Sequence, residues 1–167
     1  YLMEQGYRVN QAKGLIALGL FKDYTDIRNS PQQTFGAYQP GDIKYLDVSG
    51  PDGTPDNKIT TDDRVIRGND QPDLNYFANL SFNYKKWSFE VLFQGVTGVD
   101  AYYSAPFSNG LNLTGDGLTP MKAQLDYWTP ENPGARYPRL TPSPDYGNNH
   151  HASDYWHFDA SYCRVKY

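Results

Sequence analysis

Between Leu74 and Gly95 apolar and polar positions alternate with a period of two. The even positions Leu74, Tyr76, Ala78, Leu80, Phe82 and Tyr84 are apolar or aromatic, while the odd positions Asn75, Asn79, Ser81 and Asn83 are polar, Phe77 excepted. After Lys85-Lys86 the phase changes: Trp87, Phe89, Val91 and Phe93 fall on odd positions, and Ser88, Glu90 and Gln94 on even ones, Leu92 excepted. Successive side chains of a strand point to opposite faces, so each run predicts a strand with one apolar face. The polar break between them predicts a tight antiparallel hairpin over 74–97. Each strand is about as long as a tilted bilayer crossing requires, roughly 9–11 residues. Tyr84 and Trp87 flank the turn, where an aromatic membrane-interface girdle would lie. Two architectures fit this pattern: a soluble β-sandwich with the apolar face against a second sheet, and a transmembrane barrel with that face in lipid. The lipid-facing set of the second is Leu74, Tyr76, Leu80, Phe82, Tyr84, Trp87, Phe89, Val91 and Phe93.

The pattern elsewhere is less regular. Residues 1–40 carry the apolar run Gly14 to Phe21, whose two internal glycines argue against a helix and for an extended, strand-like piece. Residues 41–73 read as a loop, with turn signals at Pro40-Gly41, Pro51-Asp52-Gly53 and Gly68-Asn69. Residues 98–159 form a second, very long loop rich in Gly and Pro, with a short helix predicted from Pro120 to Trp128 behind a Thr119 cap. Alternation resumes over 160–167, with Ser161, Cys163, Val165 and Tyr167 on one face. A connection this long is far outside the usual range and reads as functional. One short turn and very long loops at the other strand ends is the asymmetry of outer-membrane barrels, and it favours the barrel over the sandwich. The expected fold class is therefore all-β, an antiparallel transmembrane β-barrel segment with long extracellular loops.

Composition narrows the partners. The chain has 167 residues and a formal net charge of -4. It has no basic stripe with which to neutralise phosphates, so nucleic acid is excluded as a partner. The apolar run Gly14–Phe21 is far short of the roughly 20 residues of a membrane-spanning helix, which leaves strands as the only way across a bilayer. Leu, Ile, Val and Phe make up only about a fifth of the chain, near the lower edge for a conventional core. Aromatics are abundant, with 15 Tyr, 8 Phe and 3 Trp, and such half-wet rings suit binding surfaces and interface girdles. The lone Cys163 has no internal partner and reads as a small packing residue. The first residue is Tyr1 and the last lies within a strand pattern, so the chain is expected to be a piece of a longer polypeptide.

Several blocks, taken together and in order, resemble SusC-type TonB-dependent outer-membrane transporters. They are Ala17-Leu-Gly-Leu-Phe-Lys22 with Asp26-Ile-Arg-Asn-Ser-Pro31, Pro40-Gly-Asp-Ile-Lys-Tyr-Leu-Asp47, Asp62-Asp-Arg64 with Ile66-Arg-Gly-Asn69, the hairpin from Asn79 to Gly98, Tyr127-Trp-Thr-Pro-Glu-Asn-Pro133, Tyr137-Pro-Arg-Leu140, and Ser153-Asp-Tyr-Trp156 with Asp159-Ala-Ser-Tyr162. The resemblance implies a C-terminal-half fragment of a 22-stranded barrel in the outer membrane of a Gram-negative bacterium. It further implies TonB acting through a plug outside this chain, a SusD-like lipoprotein as lid, and glycan oligosaccharides or peptides as cargo. The sequence departs from the family pattern at His157 and Cys163 and in extra residues after Asp47. Read from its residues alone, the chain also fits a soluble β-rich carbohydrate-binding module.

Candidate chemistry is sparse. Asp52, Thr54, Asp56, Lys58 (through its carbonyl), Thr60 and Asp63 fall at the 1, 3, 5, 7, 9 and 12 spacing of a Ca²⁺ loop, with Asn57 at the sharp turn. Position 12 is Asp rather than the longer Glu, and no flanking helices are evident; a solvated acidic turn is the competing reading. His150, His151, Asp154 and His157 invite a metal, but their neighbourhood reads as a surface loop. Nothing resembles a nucleophile elbow or a phosphate loop, so no catalysis is expected. Tyr102, Tyr103, Phe107, Tyr127 and Trp128 are the rings placed to stack on sugar or meet a lid, or else to pack the loop on itself.

Overall fold

The computed structural model describes residues 6, 8, 11–50, 52–102, 122–140 and 147–166. Among them the strands are, in chain order, β1 (Gln11–Gly14), β2 (Ala17–Leu20), β3 (Gln32–Gln33), β4 (Ile43–Tyr45), β5 (Lys58–Ile59), β6 (Val65–Asn69), β7 (Leu74–Tyr84), β8 (Trp87–Thr97), β9 (Asp100–Tyr102), β10 (His157–Asp159) and β11 (Tyr162–Val165). Helix is confined to α1 (Tyr24–Arg28) and a few 3₁₀ turns among the described residues. Among the described residues no helix is long and apolar enough to cross a membrane. The chain divides into two units. Tyr1–Ala12, Gly68–Tyr102 and His157–Tyr167 form one, and Lys13–Arg67 with Tyr103–Trp156 the other.

The first unit is built on the predicted hairpin. β7 and β8 pair antiparallel over all eleven residues, from Leu74↔Thr97 to Tyr84↔Trp87, and β11 adds to the far edge of β8. The turn closes on Lys85, whose φ of 53° lies in the left-handed region. Register decides what each face carries. Leu80 faces Val91, Phe82 faces Phe89, Ala78 faces Phe93 and Tyr84 faces Trp87, while Ser81 faces Glu90 and Asn83 faces Ser88. The even face of β7 and the odd face of β8 are thus one surface. On β11, Cys163 and Val165 join it opposite Gly95 and Phe93, and Arg164 lies on the polar face, where it donates to Gln94 Oε1 at 3.2 Å. Beyond these strands β9 and β10 pair antiparallel.

The second unit has a core without long strands. Leu15, Ile43, Tyr45, Ile59, Tyr137 and Trp156 are buried together. Its ladders are short: β2 with β4 across a bulge, and β3 with β5 in parallel. Ladders of two to four residues leave buried main-chain groups without strand partners, and side-chain amides complete them. Gln33 donates from Nε2 to the Ile43 carbonyl at 3.1 Å and accepts from Tyr45 N at 2.9 Å. Asn148 Nδ2 donates to the same carbonyl, and Tyr45 Oη donates to Asn148 O at 2.7 Å. Asp154 accepts from Ala17 N at 2.7 Å and pairs with Arg67.

The structure thus differs from the sequence reading over 41–73. That stretch is not a plain loop but contributes β4, β5 and β6. The expected helix before Trp128 is a 3₁₀ turn, Lys122–Leu125, and its expected cap at Thr119 and Pro120 lies outside the described residues. α1 was not expected from the sequence; it starts where Asp23 accepts hydrogen bonds from Thr25 N and Asp26 N at 2.7 and 2.8 Å.

Candidate functional site

Three places bear on function. The first is the apolar sheet face. Leu80, Phe82 and Phe89 are 60%, 63% and 62% exposed and Trp87 is 79% exposed, whereas Val91 and Phe93 are half-buried and Tyr76 lies against the sheet. The ring of Tyr76 covers Gly95: a Cβ there would fall 2.2 Å from Tyr76 Cζ and 2.6 Å from the Tyr162 carbonyl oxygen. Such a surface in water would be an aggregation liability. Eleven residues rising about 3.4 Å each at a tilt of about 40° cover about 26 Å of height, close to the roughly 25 Å apolar band of outer-membrane barrels. Lys85 Nζ lies 5.3 Å from the Tyr84 ring centroid, a cation among the aromatics at the turn.

The second is the acidic loop. Asn57 takes the left-handed backbone expected of it, at φ 63°. Asp63, however, is fully buried and engaged with the main chain. Its Oδ1 accepts from Val48 N and Ser49 N at 2.8 and 3.0 Å, and its Oδ2 from Thr60 N at 2.7 Å. Thr60 Oγ1 accepts from Asp62 N, so the two residues cap the turn Thr61–Asp63. Asp56 Oδ1 accepts from Lys58 N, and Asp47, not an expected ligand, accepts from Asn57 N. Among the described residues no three acidic, His or Cys side chains come together as a metal would need. The spacing of a calcium loop is present in Asp52, Thr54, Asp56, Lys58, Thr60 and Asp63; its convergence is not.

Nor do His150, His151, Asp154 and His157 make a metal group among the described residues; Asp154 pairs with Arg67. His151 stacks on Phe35 with ring centroids 3.9 Å apart, and its loop, expected to be solvated, is half-buried around a 3₁₀ turn, Asn148–His150. Burial holds both His150 and His151 below the ordinary imidazole range, and the charge of Arg64 adds to the effect on His151.

The third place is a cleft of about 440 Å³ in the second unit. Trp128, Tyr24 and the rings of Pro40, Pro130 and Pro133 supply its apolar walls. The Trp128 backbone N–H donates to Tyr137 O at 2.9 Å, while its indole Nε1 is buried with no bonded partner among the described residues. Its ring lies against Gly41, at φ 88°, where a Cβ would fall 2.4 Å from ring atom Cε3. Only glycine suits that position on both counts. Lys22, Asp23, Gln39 and Arg139 form the polar rim. Arg139 Nε bonds Asp42 Oδ1 at 2.8 Å, and Asp42, 1% exposed, also accepts from Gln39 N and Asn149 Nδ2. Tyr24 and Asp23 are placed by α1, which Asp26 ties to β4 through Lys44 Nζ at 2.7 Å. Burial works against ionisation of Asp26, but Lys44 and the Lys22 N–H outweigh it and hold the carboxyl below its usual range.

Of the rings singled out in the sequence, Trp128 lines this cleft, while Tyr127 packs against the core of the same unit. Tyr102 is in the first unit, edge-on to His157 at 5.3 Å beside a smaller cleft of about 270 Å³. Tyr103 and Phe107 lie outside the described residues. The sequence reading missed Tyr24, Asp23, Asp42 and Arg139 as members of a site. Asp42 and Arg139 do lie in the blocks Pro40–Asp47 and Tyr137–Leu140, whereas Asp23 and Tyr24 lie in none.

No family model matches the chain. The TonB-dependent receptor P26 of Formosa agariphila is 33% identical over 130 residues, a match covering 75% of this chain. The chain spans only 12% of that receptor's own length. Among solved structures, the RagAB peptide importer in its open-open state shares the fold with a TM-score of 0.60 at 15% identity, over 99% of this chain and 17% of that one. The sequence match shows the family: the chain belongs to the TonB-dependent receptors.

Proposed function

We propose that the chain serves TonB-driven import of oligomeric nutrients, glycan oligosaccharides or peptides, across the outer membrane of a Gram-negative bacterium. In this reading β7, β8 and β11 are consecutive barrel strands facing the lipid bilayer, and the second unit is an external loop domain. A SusD-like lipoprotein closes over the cargo, and TonB acts through parts of the receptor outside this chain. The observation that carries the reading is the register of the hairpin, which gathers Leu80, Phe82, Phe89 and Val91 on one face and leaves most of it exposed. Open strand edges are not tolerated in lipid, so β7 and β11 would pair with further strands of the whole receptor. A soluble carbohydrate-binding module would need a second layer over the same face, and among the described residues none covers it.

What this chain contributes is passage and capture rather than bond chemistry. The test is uptake. Deleting the full-length receptor gene should abolish TonB-dependent accumulation of fluorescently labelled oligomers in cells that otherwise import them. Unchanged uptake of every oligosaccharide and oligopeptide tried would refute the import reading.

A further inference from the structure

The import reading leaves the cargo class open, and the cleft at Trp128 bears on it. We propose that this cleft is a saccharide subsite, resting on the import reading above, with Trp128 and Tyr24 as stacking platforms and Asp23, Lys22 and Arg139 as hydroxyl partners.

At about 440 Å³ the cleft lies within the range of small-ligand sites, roughly 300–1,000 Å³. Its apolar walls are flat rings, and the Trp128 ring is seated on Gly41 before any ligand arrives. A platform fixed in advance loses little conformational freedom on binding. The rim offers donors and acceptors on side chains. Arg139 is pinned by the buried Asp42, which orients its guanidinium. Asp23 uses one oxygen, Oδ1, to cap α1, and Oδ2 has no bonded partner among the described residues. A carboxylate beside cationic donors suits adjacent hydroxyls, which both donate and accept.

An extended peptide finds less here. Binding by strand addition needs main-chain N–H groups along the wall, and three of the wall residues, Pro40, Pro130 and Pro133, have none. A proline-rich peptide, docking by ring contacts alone, is the remaining competitor and is built into the test.

The experiment uses the full-length receptor in detergent micelles. Titration calorimetry would probe it with defined hexasaccharides of neutral α-glucan, β-glucan, xylan and mannan, and with hexaproline and a mixed-sequence hexapeptide. At least one saccharide should bind, and Trp128→Ala should weaken it about tenfold or more. Because Trp128 also packs on Gly41, Tyr24→Ala is the second variant. Tyr24 is 62% exposed, so its removal should lower saccharide affinity severalfold with the melting temperature unchanged. Trp87→Ala, on the sheet face, should leave affinity as it was. The subsite is overturned if no saccharide binds, if neither cleft variant weakens binding, or if hexaproline is the ligand whose affinity falls. Uptake in cells separates the two readings. Persistent import with cleft-independent binding sinks the subsite alone, and cleft-dependent binding without any import sinks the import reading alone.

Discussion

Replacing Asp63 with Ala removes one buried carboxyl group and three acceptor contacts at once. Val48 N, Ser49 N and Thr60 N, which donate to it at 2.8, 3.0 and 2.7 Å, lose their partner. An orphaned buried donor costs roughly 1–3 kcal/mol. Val48, Ser49 and Thr60 are half-buried rather than sealed, so water recovers part of that loss. Taking the low end for each gives about 3 kcal/mol of local destabilisation. This converts to about a hundredfold loss of hydrogen-exchange protection, at 1.4 kcal/mol per tenfold. The assay is exchange by mass spectrometry on peptides covering 45–63 in the full-length receptor, with Asp62→Ala, an exposed neighbour, as the control. Chelator treatment of the unmodified receptor should leave the same peptides protected if the main-chain bonds to Asp63 suffice to hold the loop. Wild-type protection in the Asp63→Ala receptor would refute the capping argument. Loss of protection on adding EDTA alone would support the calcium reading of this loop.

Other outcomes follow from the same geometry. Leu80 lies four residues from the Tyr84↔Trp87 pair at the turn, about 10 Å of height into the apolar band. Leu80→Arg should therefore cost about 2–4 kcal/mol of folding stability in lipid vesicles, while Ser81→Arg on the opposite face costs little; denaturant titration of the full receptor measures both. Gly95→Ala should loosen the β8–β11 ladder, since its Cβ would sit 2.6 Å from the Tyr162 carbonyl oxygen. The expected cost is about 1–3 kcal/mol, seen as lost protection of the Tyr162 and Arg164 amides, which face β8 in register with the Lys166 N to Leu92 O bond. The pH dependence has a definite sign. His150 and His151 have imidazoles pushed below the ordinary 6.5, so the unfolded chain binds more protons than the folded one as pH falls. Stability of this region should be full above about pH 6.5 and decline below it, and His151→Gln should flatten the decline in a melting-temperature series.

What could be read from the sequence was what repeats. Period two over Leu74–Thr97 located β7, β8 and their turn, and the phase change at Lys85-Lys86 placed both apolar halves on one face. The second unit was not legible in this way. Strands such as Gln32–Gln33 and Lys58–Ile59 are too short to show a period; Ile59 is buried, and the side chains of Gln33 and Asn148 complete the main-chain bonds of Ile43 and Tyr45 on β4 from far along the chain. The partners of Asp63 were hidden for a related reason: it stands at the twelfth position of the calcium spacing, and its oxygens accept from amides at 48, 49 and 60. Trp128 was legible as an exposed-type ring in a long loop, but the groups around it come from residues 22–24, 39–40 and 139. No local pattern joins those stretches.

The central claim is that the Leu80 face of the sheet meets hydrocarbon. Nitroxide labels placed singly at Ala78, Asn79, Leu80, Ser81, Phe82 and Asn83, in a Cys163→Ser full-length receptor in liposomes, test it directly. The account predicts alternation, with labels at 78, 80 and 82 relaxed by oxygen dissolved in the bilayer and those at 79, 81 and 83 by a water-soluble nickel chelate. Labels at 80 and 82 that respond to the nickel chelate as strongly as those at 79 and 81, or that respond to neither reagent, would contradict it.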